Sequence, residues 1–344
     1  MIARFRGKWI ESAVLVAGLL LLGVTLRKIG LAGLLRDLSV IGWGLAVILL
    51  VESGSVLLNT WGWSFGFPSG ERPVVPWRLV AMRLAGDGVN YLTPSATVGG
   101  ELVRIRLLGG HGASSLAWAS VSVAKVGQSL AQAVFVFLGL AVVLPRLTGL
   151  APWIGVVGGT AGAVLTSGRF VWLTGRGFWR TLAGLARRLG LGRRLPALWS
   201  ASGRDLDRAL GRLGSWRTTA SLACFVGGWA VGALEILLIL RWIGAPVDWR
   251  TALAVETGSV LIDGILFFVP AKVGTQEGGK VFLFATLGLD PARGLTVGVV
   301  RRIRELAYAG LGLAVLACLT ARAGTPHSSA RAGAGPGVRS RHHA

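Results

Sequence analysis

The sequence predicts an all-α protein that crosses a membrane several times. Of its 344 residues, 53% are hydrophobic and only 15% are charged, and the mean hydropathy is +0.64. A soluble domain carries roughly a quarter charged residues. Near-continuous apolar runs and an internal repeat with broken segments are the second and third observations. Together they predict a polytopic bundle of about eight to ten membrane-crossing or broken segments.

Four apolar runs approach or exceed the ~20 residues that cross a bilayer core. They cover residues 12–26, 40–58, 119–144 and 218–240. The first follows a basic N-terminus and is closed by Arg27 and Lys28 without a small-residue cleavage site, so we interpret it as an uncleaved span rather than a signal peptide.

Charge divides the chain further. Lys and Arg number 36 against 15 Asp and Glu, which gives a formal net charge of +21. Such a balance also occurs in nucleic-acid-binding proteins, but the apolar runs exclude that class and a nucleic-acid partner. The excess is concentrated at the N-terminus, in residues 169–217 and in a tail at 321–344. We therefore predict two membrane halves, 1–168 and 218–320, joined by a basic amphipathic cytoplasmic loop at 169–217 and followed by a disordered tail.

An internal repeat relates the two halves. The segment that begins at Asp87-Gly88 and contains Pro94, Glu101 and Arg104 recurs 176 residues later, from Asp263-Gly264 onward. The same offset aligns Lys125 with Arg301 and Gln128 with Arg304. So many matches at one offset indicate duplicated halves.

Each half contains a segment that is too often interrupted by glycine, proline and charge to be a plain membrane helix, at 87–108 and 263–284. In transporters, paired interrupted segments point to the binding site. If both segments cross the bilayer, the basic termini lie on the same cytoplasmic side as the basic loop. If both fold back, the termini lie outside, against the positive-inside tendency. The charge pattern therefore predicts inverted repeats.

Ionisable residues inside a membrane are costly and are functional candidates by default. The candidates for substrate binding or coupling lie in the broken segments and in the helices that follow them. They are Asp87, Asn90, Pro94, Gly100, Glu101, Arg104, Lys125 and Gln128 in the first half, and Asp263, Pro270, Gly274, Gln276, Glu277, Lys280, Arg301, Arg304 and Glu305 in the second. Their near-balanced charges predict mutual pairing across the halves. Such pairs either serve a bound ligand or only clamp the broken helices together.

Four further polar residues are weaker candidates, and the sequence contains no motif of a metal site or of a common enzyme class. Glu52, Asn59, Glu235 and Glu256 lie in apolar spans, where they could line a pathway, but the sequence shows no partner for them. The histidines and the two cysteines form no metal-ligand cluster and no disulfide framework, so neither a metal nor a cofactor is expected. No serine-hydrolase, zinc-protease or nucleotide-binding motif occurs, and no catalytic residue is predicted.

The glycines next to these charges have two readings. Gly100 and Gly274 adjoin the acidic starts of predicted helices, where free amide groups bind anions such as phosphate. The alternative is close helix packing, for which small residues are common in membranes.

The residues of the two blocks resemble a known family. Asn90-Tyr91-Leu92-Thr93-Pro94 followed by Gly99-Gly100-Glu101 is similar to a motif of the lysylphosphatidylglycerol synthase transmembrane region. Val269-Pro270 through Gly279, followed by Arg301-Arg302-Ile303-Arg304-Glu305, resembles that family's second block. Within the family, the residues of both segments are most similar to those of the hopanoid-biosynthesis-associated membrane proteins.

The resemblance implies a flippase-like module of the bacterial inner membrane that translocates or traffics a lipid, whether hopanoid, phospholipid or polyprenyl-linked. We expect Arg104, Lys280 and Arg304 to attract an anionic or polar head group, while the neighbouring carboxylates hold these cations or take up a proton. No room remains after residue 320 for a soluble aminoacyl-transferase domain, so the chain is not expected to be an enzyme. The alternatives are a non-transporting scaffold for lipid-biosynthesis enzymes and a membrane-embedded transferase.

Overall fold

The computed structural model describes residues 31–67, 74–92, 98–109, 114–148, 215–245, 247–265 and 274–323. All regular elements in these ranges are α-helices, which confirms the all-α prediction. In chain order they are α1 Leu31–Ile41, α2 Gly44–Ser64, α3 Pro76–Leu92, α4 Val98–Gly109, α5 Ser114–Thr148, α6 Ser215–Trp242, α7 Trp249–Ile265, α8 Thr275–Thr286 and α9 Pro291–Ala323.

Four of these helices contain stretches long and apolar enough to cross a membrane: Gly44–Ser64, Leu116–Val143, Trp216–Trp242 and Pro291–Ala321. The first three overlap predicted runs. The predicted run at 40–58 is not one continuous helix, because the chain turns at Gly42 between α1 and α2. The φ of Gly42 is +42°, which glycine adopts readily but other residues do not. The fourth stretch was not among the predicted runs, since the arginines of α9 interrupt its apolar sequence.

Helix starts follow local sequence signals. Pro76 and Pro291 occupy the first positions of α3 and α9, where a proline loses no helical hydrogen bond. Asp248 accepts a hydrogen bond from the Thr251 amide at 2.8 Å, and Asp290 caps α9 in the same way through Ala292 at 2.9 Å. These caps satisfy amides that the first helical turn leaves without partners.

Each broken segment folds back on itself. Gly100 at the start of α4 lies against Gly86 and Asn90 near the end of α3, while Leu108 at the end of α4 shares an apolar cluster with Leu79 at the start of α3. The start of α4 thus lies against the end of α3, and the end of α4 lies near the start of α3. The two helices therefore form an antiparallel hairpin. In α7 and α8, Gly279 lies against Ile262 and Gly258 lies against Leu283, which is the same arrangement.

This fold-back differs from the crossing on which the prediction of inverted repeats was based. The relative orientation of the halves therefore stays a prediction. The order of elements does repeat, since helices of 17, 12 and 35 residues (α3, α4, α5) are followed by helices of 17, 12 and 33 residues (α7, α8, α9).

Two apolar cores hold the hairpins. One joins α3 and α4 to α2 and α5 around Trp63, Phe67 and Leu79. The other joins α7 and α8 to α2, α6 and α9 around Ile236, Val255 and Phe284. The two halves meet where α9 packs along α3, where α6 packs along α2, and where α5 packs on α6 and α7. The span at 12–26, most of the basic loop at 169–217 and most of the tail lie outside the described residues.

Candidate functional site

The first-half charges form one network on the α3–α4 hairpin. Arg104 is bonded to Asp87 and, at 2.9 Å, to Glu101. Arg83 Nε lies 3.4 Å from the other oxygen of Asp87, and Lys125 Nζ of α5 lies 3.5 Å from Glu101. The hairpin places these groups together because Glu101 and Arg104 share one face of α4, three residues apart, opposite Asp87 on α3.

Gly100 makes this arrangement possible. A Cβ atom at this position would lie 2.0 Å from the Gly86 carbonyl oxygen, so α4 reaches α3 only because both positions are glycine. The Gly100 amide donates to Asn90 Oδ1 at 2.7 Å. In this structure the amide is therefore engaged by a side chain, and the glycine serves helix packing.

Replacing Gly100 with alanine is expected to lower the stability of the protein by about 1–3 kcal/mol, since the new methyl group meets backbone rather than a flexible side chain. Thermal unfolding in detergent micelles measures this. The control is Gly54→Ala in α2, where a Cβ meets nothing within 4 Å and stability should stay equal or rise. Equal melting temperatures for the two variants would contradict the close approach of α4 to α3.

The second-half network is centred on α9. Arg301 lies almost fully buried between two carboxylates, with its Nε 3.1 Å from Glu235 of α6 and its Nη1 2.6 Å from Glu256 of α7. It also donates to the Gly232 carbonyl at 2.6 Å. A buried guanidinium is tolerable only with such partners, because desolvation of an unpaired charge costs several kcal/mol.

Arg302 connects the second hairpin to the first. Its guanidinium lies 2.9 Å from Glu277 of α8 and donates to the Tyr91 hydroxyl of α3, also at 2.9 Å. Tyr91 belongs to the first half, so this hydrogen bond crosses between the halves.

Arg304 joins both halves through one nitrogen. Its Nη1 donates to Glu52 of α2 at 2.9 Å and to Glu235 of α6. Glu305 lies 3.7 Å from Arg304 Nη2 and accepts a hydrogen bond from Gln276 of α8 at 3.0 Å. One arginine is thus shared by carboxylates of the two halves.

A cavity of about 150 Å³ lies where the two networks meet, between α2, α3 and α9. Its polar lining consists of carboxylates and tyrosines from both halves and one arginine: Glu52, Asp87, Tyr91, Arg304, Glu305 and Tyr308. The Asp87 side chain is 41% exposed and that of Glu52 is 22% exposed, whereas that of Arg304 is 12% exposed. The cavity therefore presents more negative than positive groups.

The structure brings most of the predicted residues into these networks, but it pairs them mainly within each half. Among the described residues, side-chain contacts from the first half to α9 of the second are made by Asp37, Glu52, Ser53 and Tyr91. Asp263 is among the charged groups near the buried Lys280. Gly274 adopts a φ of +74° before α8, and its carbonyl accepts the Gly278 amide at 2.9 Å. Pro94 and Pro270 lie outside the described residues.

Several residues of these networks were predicted only as weaker candidates. Glu52, Glu235 and Glu256 showed no partner in sequence, yet each is ion-paired with an arginine of α9. Their position inside apolar helices was the available signal, since a carboxylate is rare there without a partner. Asn59 likewise pairs, accepting a hydrogen bond from Gln128 at 3.3 Å.

Metal binding has no support in this part of the chain. Within the described ranges, no group of three histidine, cysteine, aspartate or glutamate side chains is placed to hold an ion.

The helices and the ion-paired networks between them define a polytopic membrane protein with a charged interior. The chain belongs to the family of the lysylphosphatidylglycerol synthase TM region, whose model matches residues 9–312. That family places it among membrane proteins linked to lipid handling. Comparison with curated proteins and with solved structures gave no match.

Proposed function

We propose that the chain translocates a polar lipid across the bacterial inner membrane as a multi-pass, non-enzymatic flippase-like protein. The head group passes the cavity between α2, α3 and α9 while the apolar tails stay in the bilayer. One observation carries the proposal: a cavity lined by charged groups of both halves lies at the junction of these halves.

The chemistry of the lining supports a head-group path. A polar group that enters the bilayer must replace its bonds to water, since each unsatisfied group costs several kcal/mol. Glu52, Asp87 and Glu305 offer acceptors, and Tyr91 and Tyr308 offer hydroxyls. This set suits a head group that donates hydrogen bonds through hydroxyl or amine groups. The lipid in the family's name carries a lysyl group, which has such amines.

The paired cations fit a second role in this scheme. Arg104 is held by two carboxylates and Arg304 by three, so neither arginine meets an anionic head group until a carboxylate releases it. Proton uptake by a carboxylate would weaken the pair and free the guanidinium for a lipid phosphate. Hydroxyl or amine groups thus meet the carboxylates first, and the phosphate follows.

The proposal predicts that removing two carboxylate charges from the cavity abolishes lipid movement. The test is a Glu52→Gln, Glu305→Gln variant in liposomes that carry labelled phosphatidylglycerol, lysylphosphatidylglycerol, a hopanoid or a polyprenyl phosphate. We expect transbilayer movement of at least one lipid by the unmodified protein and at least a tenfold lower rate in the variant, since a bidentate charged acceptor is lost at each position.

The matched control is Asp290→Asn, an exposed carboxylate at the start of α9 whose amide replacement retains the capping oxygen. A parallel Glu101→Gln, Glu277→Gln variant tests the carboxylates that hold Arg104 and Arg302. If the Glu52→Gln, Glu305→Gln variant is expressed and folded normally and still moves lipid at the rate of the unmodified protein, the assigned path is wrong. Folded protein that moves no lipid would favour the scaffold, and a chemically altered lipid would favour a transferase.

A further inference from the structure

The cavity has a volume of only about 150 Å³, so a whole lipid head group passes only if the surrounding helices part. The two halves offer the same interhelical contact twice, in chemically different forms. Asn59 and Glu235 are 176 residues apart, and so are Gln128 and Arg304. This is the offset that relates Asp87 to Asp263.

The equivalent contacts are formed in both halves. Gln128 Nε2 of α5 donates to Asn59 Oδ1 of α2 at 3.3 Å, and Arg304 Nη1 of α9 donates to Glu235 Oε2 of α6. The first contact is between two neutral amides, and the second is an ion pair. The second is also reinforced, because Arg304 binds Glu52 through the same nitrogen.

Neighbouring positions extend the asymmetry. Arg301 is 8% exposed and fixed between Glu235 and Glu256, whereas its equivalent Lys125 is 39% exposed. The residue 176 positions before Glu256 is Val80, which has no charge. The second half therefore has a buried ionic contact between α6 and α9 where the first half has an amide pair between α2 and α5.

The two contacts differ in what their separation costs. Parting a buried ion pair leaves uncompensated charges in a low-dielectric interior, which is far less favourable than parting two neutral amides. Neutral amides can also exchange partners with a passing head group or with water. Of these two polar contacts, the one between α2 and α5 is therefore the weaker.

We propose that the two halves open unequally, with α5 leaving α2 at Asn59–Gln128 in each cycle while the Arg304 ion pairs hold α9 against α6 and α2. This inference rests on the proposed translocation. It assigns Asn59 and Gln128 as the moving gate, and Glu235 as a positioning residue that acts through Arg304.

Spin-label distances test the unequal opening directly. Cys224 and Cys318, the cysteines of the described helices, are first replaced with alanine. One labelled pair then reports on α2 and α5, with cysteines at the exposed positions Leu57 and Ser129. We expect two distance populations for this pair in phosphatidylglycerol liposomes.

A second labelled pair reports on α6 and α9, with cysteines at the exposed positions Leu234 and Leu306. We expect a single narrow distance for it. Equal distributions for both pairs would overturn the proposal.

Exchanging the chemistry of the contacts sharpens the test. Glu52→Gln, Glu235→Asn and Arg304→Gln together give the second half the amide pair that the first half already accommodates. This variant should acquire a second distance between α6 and α9. Conversely, Asn59→Glu with Gln128→Arg should reduce the open α2–α5 population by about tenfold, the effect of a charged hydrogen bond. If that variant fails to fold, the first exchange alone decides the question.

These readouts separate the gate from the function. Two α2–α5 distances without movement of any lipid would leave the unequal opening intact and refute translocation. Lipid movement with one narrow distance in both pairs would leave translocation intact and refute the gate. An unchanged α6–α9 distance in the neutralised variant would show that Arg304 does not hold that junction.

Discussion

Replacing Arg301 with alanine is expected to destabilise the protein by about 3–5 kcal/mol, the usual cost of removing one partner from a buried ion pair. The variant removes the cation that lies between Glu235 and Glu256, both of which are almost fully buried, while Glu235 keeps its second ion pair, with Arg304. Thermal or denaturant unfolding in detergent micelles measures the loss.

Two further variants test whether the loss of stability comes from the buried ion pairs of Arg301. Adding Glu256→Gln to the alanine variant should restore part of the stability, because this buried negative charge disappears while Glu235 keeps its ion pair with Arg304. Arg293→Ala removes an exposed ion pair of 3.9 Å to Asp290 and should cost less than about 1 kcal/mol. A loss at Arg301 no larger than that at Arg293 would show that the second-half network is not buried as described.

Replacing Gly312 with alanine is expected to separate α9 from α3 and to disturb the cavity between them. A Cβ at Gly312 would lie 2.2 Å from the Leu84 carbonyl oxygen, and one at Gly88 would lie 2.9 Å from the Ala309 carbonyl oxygen. The helices thus meet backbone to backbone, as small residues permit in membranes. Overpacking of this kind costs about 1–3 kcal/mol, and we expect lipid movement to fall with it.

Gly310→Ala is the matched control on the same helix, since a Cβ there meets nothing within 4 Å. Alanine favours a helix by up to about 1 kcal/mol over glycine, so this variant should be as stable as the parent or more so. Unfolding and lipid movement are measured side by side for both. If Gly312→Ala behaves like Gly310→Ala, the α3–α9 crossing does not depend on contact at this glycine.

Ion pairs between neighbouring residues of one helix can be predicted from the sequence, whereas those between distant helices cannot. Glu101 and Arg104 are three residues apart, so helical periodicity alone places them on one face. Glu235 and Arg304 are 69 residues apart, and Glu52 and Arg304 are 252 apart. No local rule links positions at such separations, and the carboxylates in apolar helices therefore had no visible partner.

The role of Gly100 likewise depends on contacts that the sequence does not show. Gly100 next to Glu101 was compatible with an anion site and with close packing, since both need a residue without a side chain. The α3–α4 hairpin decides for packing, because the Gly86 carbonyl and Asn90 occupy the space and the hydrogen bond that an anion would use.

The helical membrane class and many of the charged residues of the interior are evident from the chain alone, because composition and periodicity are properties of the sequence, and the duplication of the halves stays a prediction. The packed helices were needed to show that the broken segments fold back, that an arginine joins the halves, and that a cavity lies between them. Those features depend on how closely helices cross, which is set at backbone contacts such as Gly312 with Leu84. The sequence shows that small residues are present there, but only the packed helices show what each of them meets.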